Sequence, residues 1–365
     1  MDILKFIISF IPAAVRGIII ILLCGLLSGC YTEFDPDIRQ PEVLCLNSEI
    51  IAGSPVEVRV THTWRYTDEP INEYNDDMAV TDAEVSLYVN GCEYEQLQPT
   101  EREIMQYGYP YVYHYYQGTY CPKAGDELRI VAVSERYGSA EGETRVPAAP
   151  VIEKTEWKLG SPKINNHTLQ CTLDVHIYLH DVADTKDYYM FGYDIVNPSV
   201  PGEPIFFPDT AEWITPYMYG ILSCYTLDYS HEPIFSEYMS AFEMINGSIG
   251  YTMFSDVQFS GSTYPLHIIF TLEHYIESND IEELWHSVMH LKISSLSLSY
   301  YNHLMTLWQF DEGIAGMLGE VGLGTPVHGY SNVSTRAGIV AAGNISDIAL
   351  DLGDALKEMW GQTQK

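Results

Sequence analysis

Cationic side chains are scarce in this chain. Lys and Arg number 18 against 50 Asp and Glu, for a formal charge of -32 over 365 residues. That argues against nucleic acid as a partner, because gripping phosphates needs a cationic face. A polybasic membrane-binding surface is disfavoured for the same reason. No C-x-x-C occurs, so a zinc ribbon or a thioredoxin-like site has no support. Gly-x-Ser-x-Gly is missing too. Asn246-Gly247-Ser248-Ile249-Gly250 approaches it without a glycine two residues before Ser248. Gly322-Leu323-Gly324 continues as Thr-Pro-Val-His and fails the dinucleotide fingerprint. No internal repeat of fixed period is present. Carboxylates are plentiful but scattered, so no acid–base pair stands out. No catalytic residue, metal or cofactor is therefore assigned, and the expectation is a protein that is not an enzyme.

What is present begins at the amino terminus. Lys5 and Arg16 precede a continuous apolar run from Gly17 to Leu27. The run is short for a membrane span, which takes ~20 residues. A positive start before a short apolar stretch reads as a secretory signal. The run ends in Leu27-Ser28-Gly29-Cys30, which resembles a bacterial lipobox. Small residues let a peptidase reach the backbone, and the Cys30 thiol then carries the lipid. Several acyl chains hold firmly, each buried methylene contributing ~0.8 kcal/mol. Cleavage before Cys30 leaves 336 residues (365 − 29), and loss of a leader charged +1 takes the net charge near -33. Glu33, Asp35 and Asp37 follow closely and resemble the surface-export signal of Bacteroidota lipoproteins.

Composition favours a folded, β-rich body. Hydrophobic residues make up 46% and charged residues 19%, which excludes disorder by composition. The 28 tyrosines suit half-buried strands. Val56, Val58 and Val60 alternate with polar residues; so do Val85, Leu87 and Val89, which run into the hairpin signal Asn90-Gly91. Leu128 and Ile130 follow Gly125-Asp126. Such spacing predicts an immunoglobulin-like β-sandwich over 42–148. Pro147-Ala148-Ala149-Pro150 reads as an extended linker. A larger β-rich domain over 149–345 is expected next, with strands at Leu173–Leu179, Tyr264–Leu272 and Met289–Leu298. Ser299 is expected to cap a helix over Tyr300–Phe310 that buries Tyr301, Leu304 and Trp308. A C-terminal helix is expected over 346–365, with Ile348, Leu352, Ala355 and Leu356 on one side. The leader takes 1–29 and a tether 30–41.

Seven cysteines are present. Setting aside Cys24 in the leader and the lipidated Cys30 leaves Cys45, Cys92, Cys121, Cys171 and Cys224. The count is odd, so at least one thiol stays free or pairs between chains. Cys92 and Cys121 flank one hairpin region and could pair; small hydrophobes without a disulfide are the favoured reading, and the pairing stays open.

Five tyrosines, Tyr107, Tyr109, Tyr111, Tyr113 and Tyr115, fall at every second position and would share one face of a strand. Pro110 confines that strand to an edge or an irregular arm. The face is either an aromatic platform for a glycan or protein ligand, or a ladder packed on its own sheet. Asp68, Glu69, Glu73, Asp76, Asp77 and Asp82 form an acidic loop with oxygen ligands of the kind calcium takes, without an EF-hand pattern. A solvated loop is the favoured account. His286 and His290 lack the glutamate of a zincin. His176 and His180 sit four apart on a strand, ~13 Å, too far to share an ion. Asp209-Thr210-Ala211 resembles a short O-glycosylation motif of exported Bacteroidota proteins.

Taken in order, these pieces resemble the Bacteroidota lipoprotein family known as domain of unknown function 4249. The resemblance rests on the lipobox, then Ala83-Glu-Val-Ser-Leu-Tyr-Val-Asn-Gly91, Gly118-Thr-Tyr120 and Ala124-Gly-Asp-Glu-Leu-Arg-Ile130. It continues through Phe254-Ser-Asp256, Tyr300-Tyr-Asn-His-Leu304, Tyr330-Ser-Asn-Val333 and Gly338-Ile339. The turn at Ser334–Gly338 is less glycine-rich than the family pattern. The resemblance implies a lipid-anchored protein of the outer membrane, facing the cell exterior, working with a TonB-dependent barrel or its cargo. It carries no catalytic residues. A glycan-binding module and an adhesive, fimbrial-type subunit are the alternatives.

Overall fold

The period-2 segments become strands, and one long sheet organises them. The computed structural model describes residues 41–64, 78–106, 109–165, 168–183, 185–196, 205–207, 212–214, 222–229, 231–238, 252–275, 284–311 and 328–363. The chain is mainly β, as expected. The long sheet runs, in spatial order, β16 (Met253–Ser255), β12 (Tyr188–Val196), β18 (Val288–Leu296), β19 (Gly338–Asp351), β1 (Leu44–Ile51), β2 (Glu57–His62), β6 (Tyr109–Gln117) and β5 (Gln98–Gln106). Its pairs are antiparallel except β1 with β19, which run parallel from Leu46↔Gly338 to Ile51↔Gly343.

Two smaller sheets pack on one face of it. The first has the order β4 (Cys92–Gln96), β3 (Glu84–Val89), β7 (Glu127–Ser134), β8 (Gly138–Arg145). Val85, Leu87, Leu128 and Ile130 meet Leu44, Leu46, Val58 and Val60 in one core. Asn90 (φ 50°) and Gly91 (φ 81°) both take the left-handed conformation that a two-residue hairpin turn needs, so the expected turn is formed. The second sheet has β11 (Thr168–His180) at its centre. On one side it pairs with β9 (Val151–Leu159) and β10 (Lys163–Asn165), on the other with β17 (Thr263–Tyr275), which in turn pairs with β15 (Ser223–Asp228). Leu173, Val175, Ile177, Leu266, Ile268 and Phe270 are fully buried there against Met289, Leu291 and Ile293 of the long sheet. A short hairpin, β13 (Ile205–Phe207) with β14 (Glu212–Ile214), completes the strands among the described residues.

The other face of the long sheet carries α1 (Leu298–Asp311). Tyr300, Tyr301 and Leu304 bury against Tyr188, Leu296, Ile339 and Ala341. The cap is Ser297, not Ser299: its Oγ accepts from the Tyr300 N–H at 3.3 Å and from the Ala342 N–H at 3.1 Å. Tyr300 donates to Glu49 Oε2 at 2.8 Å, and burial pushes its phenol well above the ordinary range.

Two expectations are revised. The immunoglobulin likeness over 42–148 is not confirmed, because the first sheet of that sandwich continues into β19, β18, β12 and β16. Val333, Val340 and Ala342 complete its core, and residues 42–365 make one compact unit across the expected linker at 147–150. The C-terminal helix is α2 (Gly353–Thr363), not 346–365. Ile348, Leu352 and Leu356 lie four apart, a spacing compatible with either period, and Ile348 is instead paired with Leu291 in the sheet. The cysteine pairing left open by the sequence resolves to none: Cys45, Cys92, Cys121, Cys171 and Cys224 are all free thiols. Glu95, not Cys92, meets the 119–120 segment, accepting from the N–H groups of Thr119 and Tyr120 at 2.9 Å.

Candidate functional site

The tyrosine-rich strand belongs to an arm. β5 and β6 pair along their whole length, with Thr100↔Tyr115, Arg102↔Tyr113 and Ile104↔Tyr111. β6 joins β2 only at Glu57↔Gln117 and Val58↔Tyr116. Beyond that point residues 78–80 take over the edge of β2: the Val80 N–H donates to Val60 O at 2.9 Å and the His62 N–H to Met78 O at 3.1 Å. The hairpin must therefore part from the sheet. Tyr116 holds the fork, donating to Val80 O and accepting from the Ala83 N–H, both at 2.9 Å. A cleft of 310 Å³ opens in the fork, lined on one side by Val60, Val80 and Thr81 and on the other by Pro99, Glu101, His114 and Tyr115.

Tyr111, Tyr113 and Tyr115 share a face, as the alternation predicts. That face is not an open platform. Tyr111 and Tyr115 are each only 8% exposed. Arg59 donates to the Tyr111 hydroxyl at 3.1 Å and stands 4.8 Å from the Tyr113 ring centroid. Arg102 stacks 5.0 Å from Tyr113 and 4.8 Å from Tyr115, anchored by Glu57 at 3.0 Å. Each such stack contributes about 0.5–1 kcal/mol at an exposed site. The ladder packs on its own sheet, and its Tyr115 end lines the cleft. The Tyr115 and His114 rings and the Glu101 carboxylate along the cleft can meet a hydroxyl-rich or peptide ligand. Tyr109 lies in β6. Tyr107, Cys30, the acidic residues 68–77, and the 209–211, 246–250 and 322–324 motifs lie outside the described residues. Asp82, the last of the acidic series, is exposed.

A second group was invisible in the sequence. Carboxylate oxygens of Asp181, Asp187 and Asp256 lie within 4.8 Å of one another. Asp181 and Asp256 are buried, at 1% and 2% exposure. Asp181 is held by the Tyr189 hydroxyl at 2.8 Å and the Gly261 N–H at 3.1 Å. Burial first, then the charges of Asp181 and Asp187, raises the Asp256 carboxyl above its ordinary range. The protonated form is thus favoured by folding, so stability is fullest below the unfolded-state value of ~3.9 and falls as pH rises through the raised one. Asp256→Asn should therefore be more stable than wild type in urea titrations at neutral pH. The difference should close in acid; an equal or lower neutral-pH midpoint would refute the reading.

The two His pairs do not form sites by themselves. His290 Nδ1 lies 2.9 Å from Asp347 and His286 is exposed. His180 reaches Thr263 at 3.0 Å. His176 instead stacks on His267 of the neighbouring strand, a contact set by strand register. Among the described residues, no helix is long and apolar enough to cross a membrane.

A family model described as a domain of unknown function, DUF4249, matches residues 31–348. No curated protein and no solved structure matches.

Proposed function

The chain belongs to the DUF4249 family, and we propose that it is a non-enzymatic, lipid-anchored binding protein of the outer-membrane surface, an accessory or cargo-binding partner of a TonB-dependent transporter. The observation that carries the reading is Leu27-Ser28-Gly29-Cys30 standing 14 residues (44 − 30) ahead of the first strand at Leu44. Fully extended, such a tether reaches ~50 Å at most, at ~3.3–3.6 Å per residue. The folded body would stay close to the bilayer, within reach of a barrel's external face. The charge of -32 keeps it from lying flat on anionic headgroups. The forked cleft beside Glu101, His114 and Tyr115 is the binding surface in this reading, with a glycan or a peptide as its cargo.

The test uses the wild-type protein and Cys30→Ala, expressed in a Bacteroidota host and extracted from outer membranes in mild detergent. Wild type should carry a diacylglycerol-type mass increment on Cys30 and co-purify with a barrel protein. The variant should leave the membrane fraction. An unmodified polypeptide with its leader intact, or recovery of lipidated protein without any barrel, would overturn the corresponding half of the proposal.

A further inference from the structure

We propose that Asp174, His176 and His267, with His231 beside them, form a surface site for a divalent transition metal of the zinc or copper class. β11 and β17 place His176 and His267 directly opposite each other. Residues so paired have Cβ atoms ~4.5–5.5 Å apart, close enough for two side chains to share one ion. The two rings stack at 4.1 Å with an 11° tilt. Both Nε2 atoms face one oxygen: Asp174 Oδ1 lies 2.8 Å from His267 Nε2 and 3.4 Å from His176 Nε2. Two ligands ~2.0–2.1 Å from a tetrahedral ion stand roughly 3.3 Å apart, so only small side-chain rotations separate this arrangement from a bound one.

The third imidazole comes from another element. His231 follows β15 and meets His267 edge-on, with ring centroids 4.5 Å apart. Its neighbour Glu232 is 7% exposed and fixes the geometry from beneath. One Glu232 oxygen accepts the His267 N–H and the other the Tyr264 hydroxyl, both at 2.6 Å. The loop bearing His231 is thereby bonded to the strand bearing His267. The ligand atoms of Asp174, His176 and His267 lie within 4.8 Å of one another, as do those of His231, Glu232 and His267.

Chemistry narrows the ion. Imidazole nitrogens with one carboxylate suit zinc, copper and nickel, whereas calcium and magnesium take oxygen shells. The side chains of His176, His231 and His267 are 39%, 37% and 26% exposed, which gives an ion an entry path and leaves room for a water ligand. Packing does not account for the cluster, since the core side of β11 is filled by Val175 and Ile177.

The experiment is calorimetric titration of untagged, metal-stripped full-length protein in detergent with Zn²⁺, and separately with Ca²⁺. One saturable Zn²⁺ site of micromolar or tighter affinity is expected, with no Ca²⁺ site of that strength displaced by it. His267→Ala and His176→Ala should each weaken Zn²⁺ at least tenfold, and near-isosteric Asp174→Asn should weaken it too. His290→Ala, on another sheet, should bind as wild type. Zn²⁺ should raise the melting temperature of wild type and not of the His176→Ala/His267→Ala double variant, whose circular dichroism reports that it is folded. Absence of saturable Zn²⁺ uptake, or undiminished uptake by a folded double variant, would overturn the proposal.

Discussion

Replacing Gly338 by alanine should destabilise the protein by about 3 kcal/mol or more, a large part of the ~5–15 kcal/mol that domains possess. Gly338 has φ +91°, a conformation that is strained for any residue with a Cβ. Strain of that kind costs ~1–3 kcal/mol. A Cβ there would also stand 2.0 Å from the Leu46 carbonyl oxygen. That oxygen is backbone in the middle of β1 and cannot rotate away. Relief requires β19 to move off β1, weakening the Leu46 N–H to Ala337 O bond of 3.3 Å and the parallel register that follows it. Gly91→Ala is the comparison: it has φ +81° but open space around the added carbon, so it should lose only the conformational part. Urea unfolding of the two variants separates the contributions. Equal losses would mean that Leu46 and Gly338 do not approach as described.

The second large effect is expected at Phe270. It is fully buried, with Tyr193 edge-on at 5.2 Å and Phe191 at 6.3 Å between ring centroids. Removing a phenylalanine ring from such a core costs ~3–5 kcal/mol, because lost burial and an unfilled cavity add. Phe270→Leu keeps most of the volume and should cost less than half of that. Tyr225→Ala, at a residue 63% exposed on the neighbouring strand, should stay within ~0.5 kcal/mol. A thermal or urea series that ranks these three differently would refute the packing between β17 and β12.

The mainly β class was legible in the sequence because a half-buried strand writes its burial at every second residue. β11 alternates buried and partly buried along nearly all of its 13 residues, and its period could be read directly. The Asn90-Gly91 turn was legible for a local reason: both positions need positive φ, and few residues tolerate it. Pairing between distant strands was not legible. Nothing in residues 44–51 announces a parallel partner 292 positions away (338 − 46), since period 2 says which face is buried and not against what. The histidine cluster was hidden for the same reason. Along the sequence His176 sits four residues from His180; in space its neighbour is His267. In the tyrosine series, period 2 puts Tyr111, Tyr113 and Tyr115 on one face. The arginines covering it come from β2 and β5, and the fork that opens the cleft depends on residues 78–80 displacing β6.

The parallel pairing of β1 with β19 bears on how the polypeptide matures. The ribosome delivers the amino-terminal half first, yet three side chains of its apolar interior, Val333, Val340 and Ala342, arrive nearly last. Early lengths of nascent chain hold a strand whose long side has no mate, a standing invitation to aggregate. Closure awaits the final stretch, which makes folding a late, concerted event governed by long-range contacts. Excising residues 42–148 as a self-sufficient module would recreate that unfinished intermediate permanently.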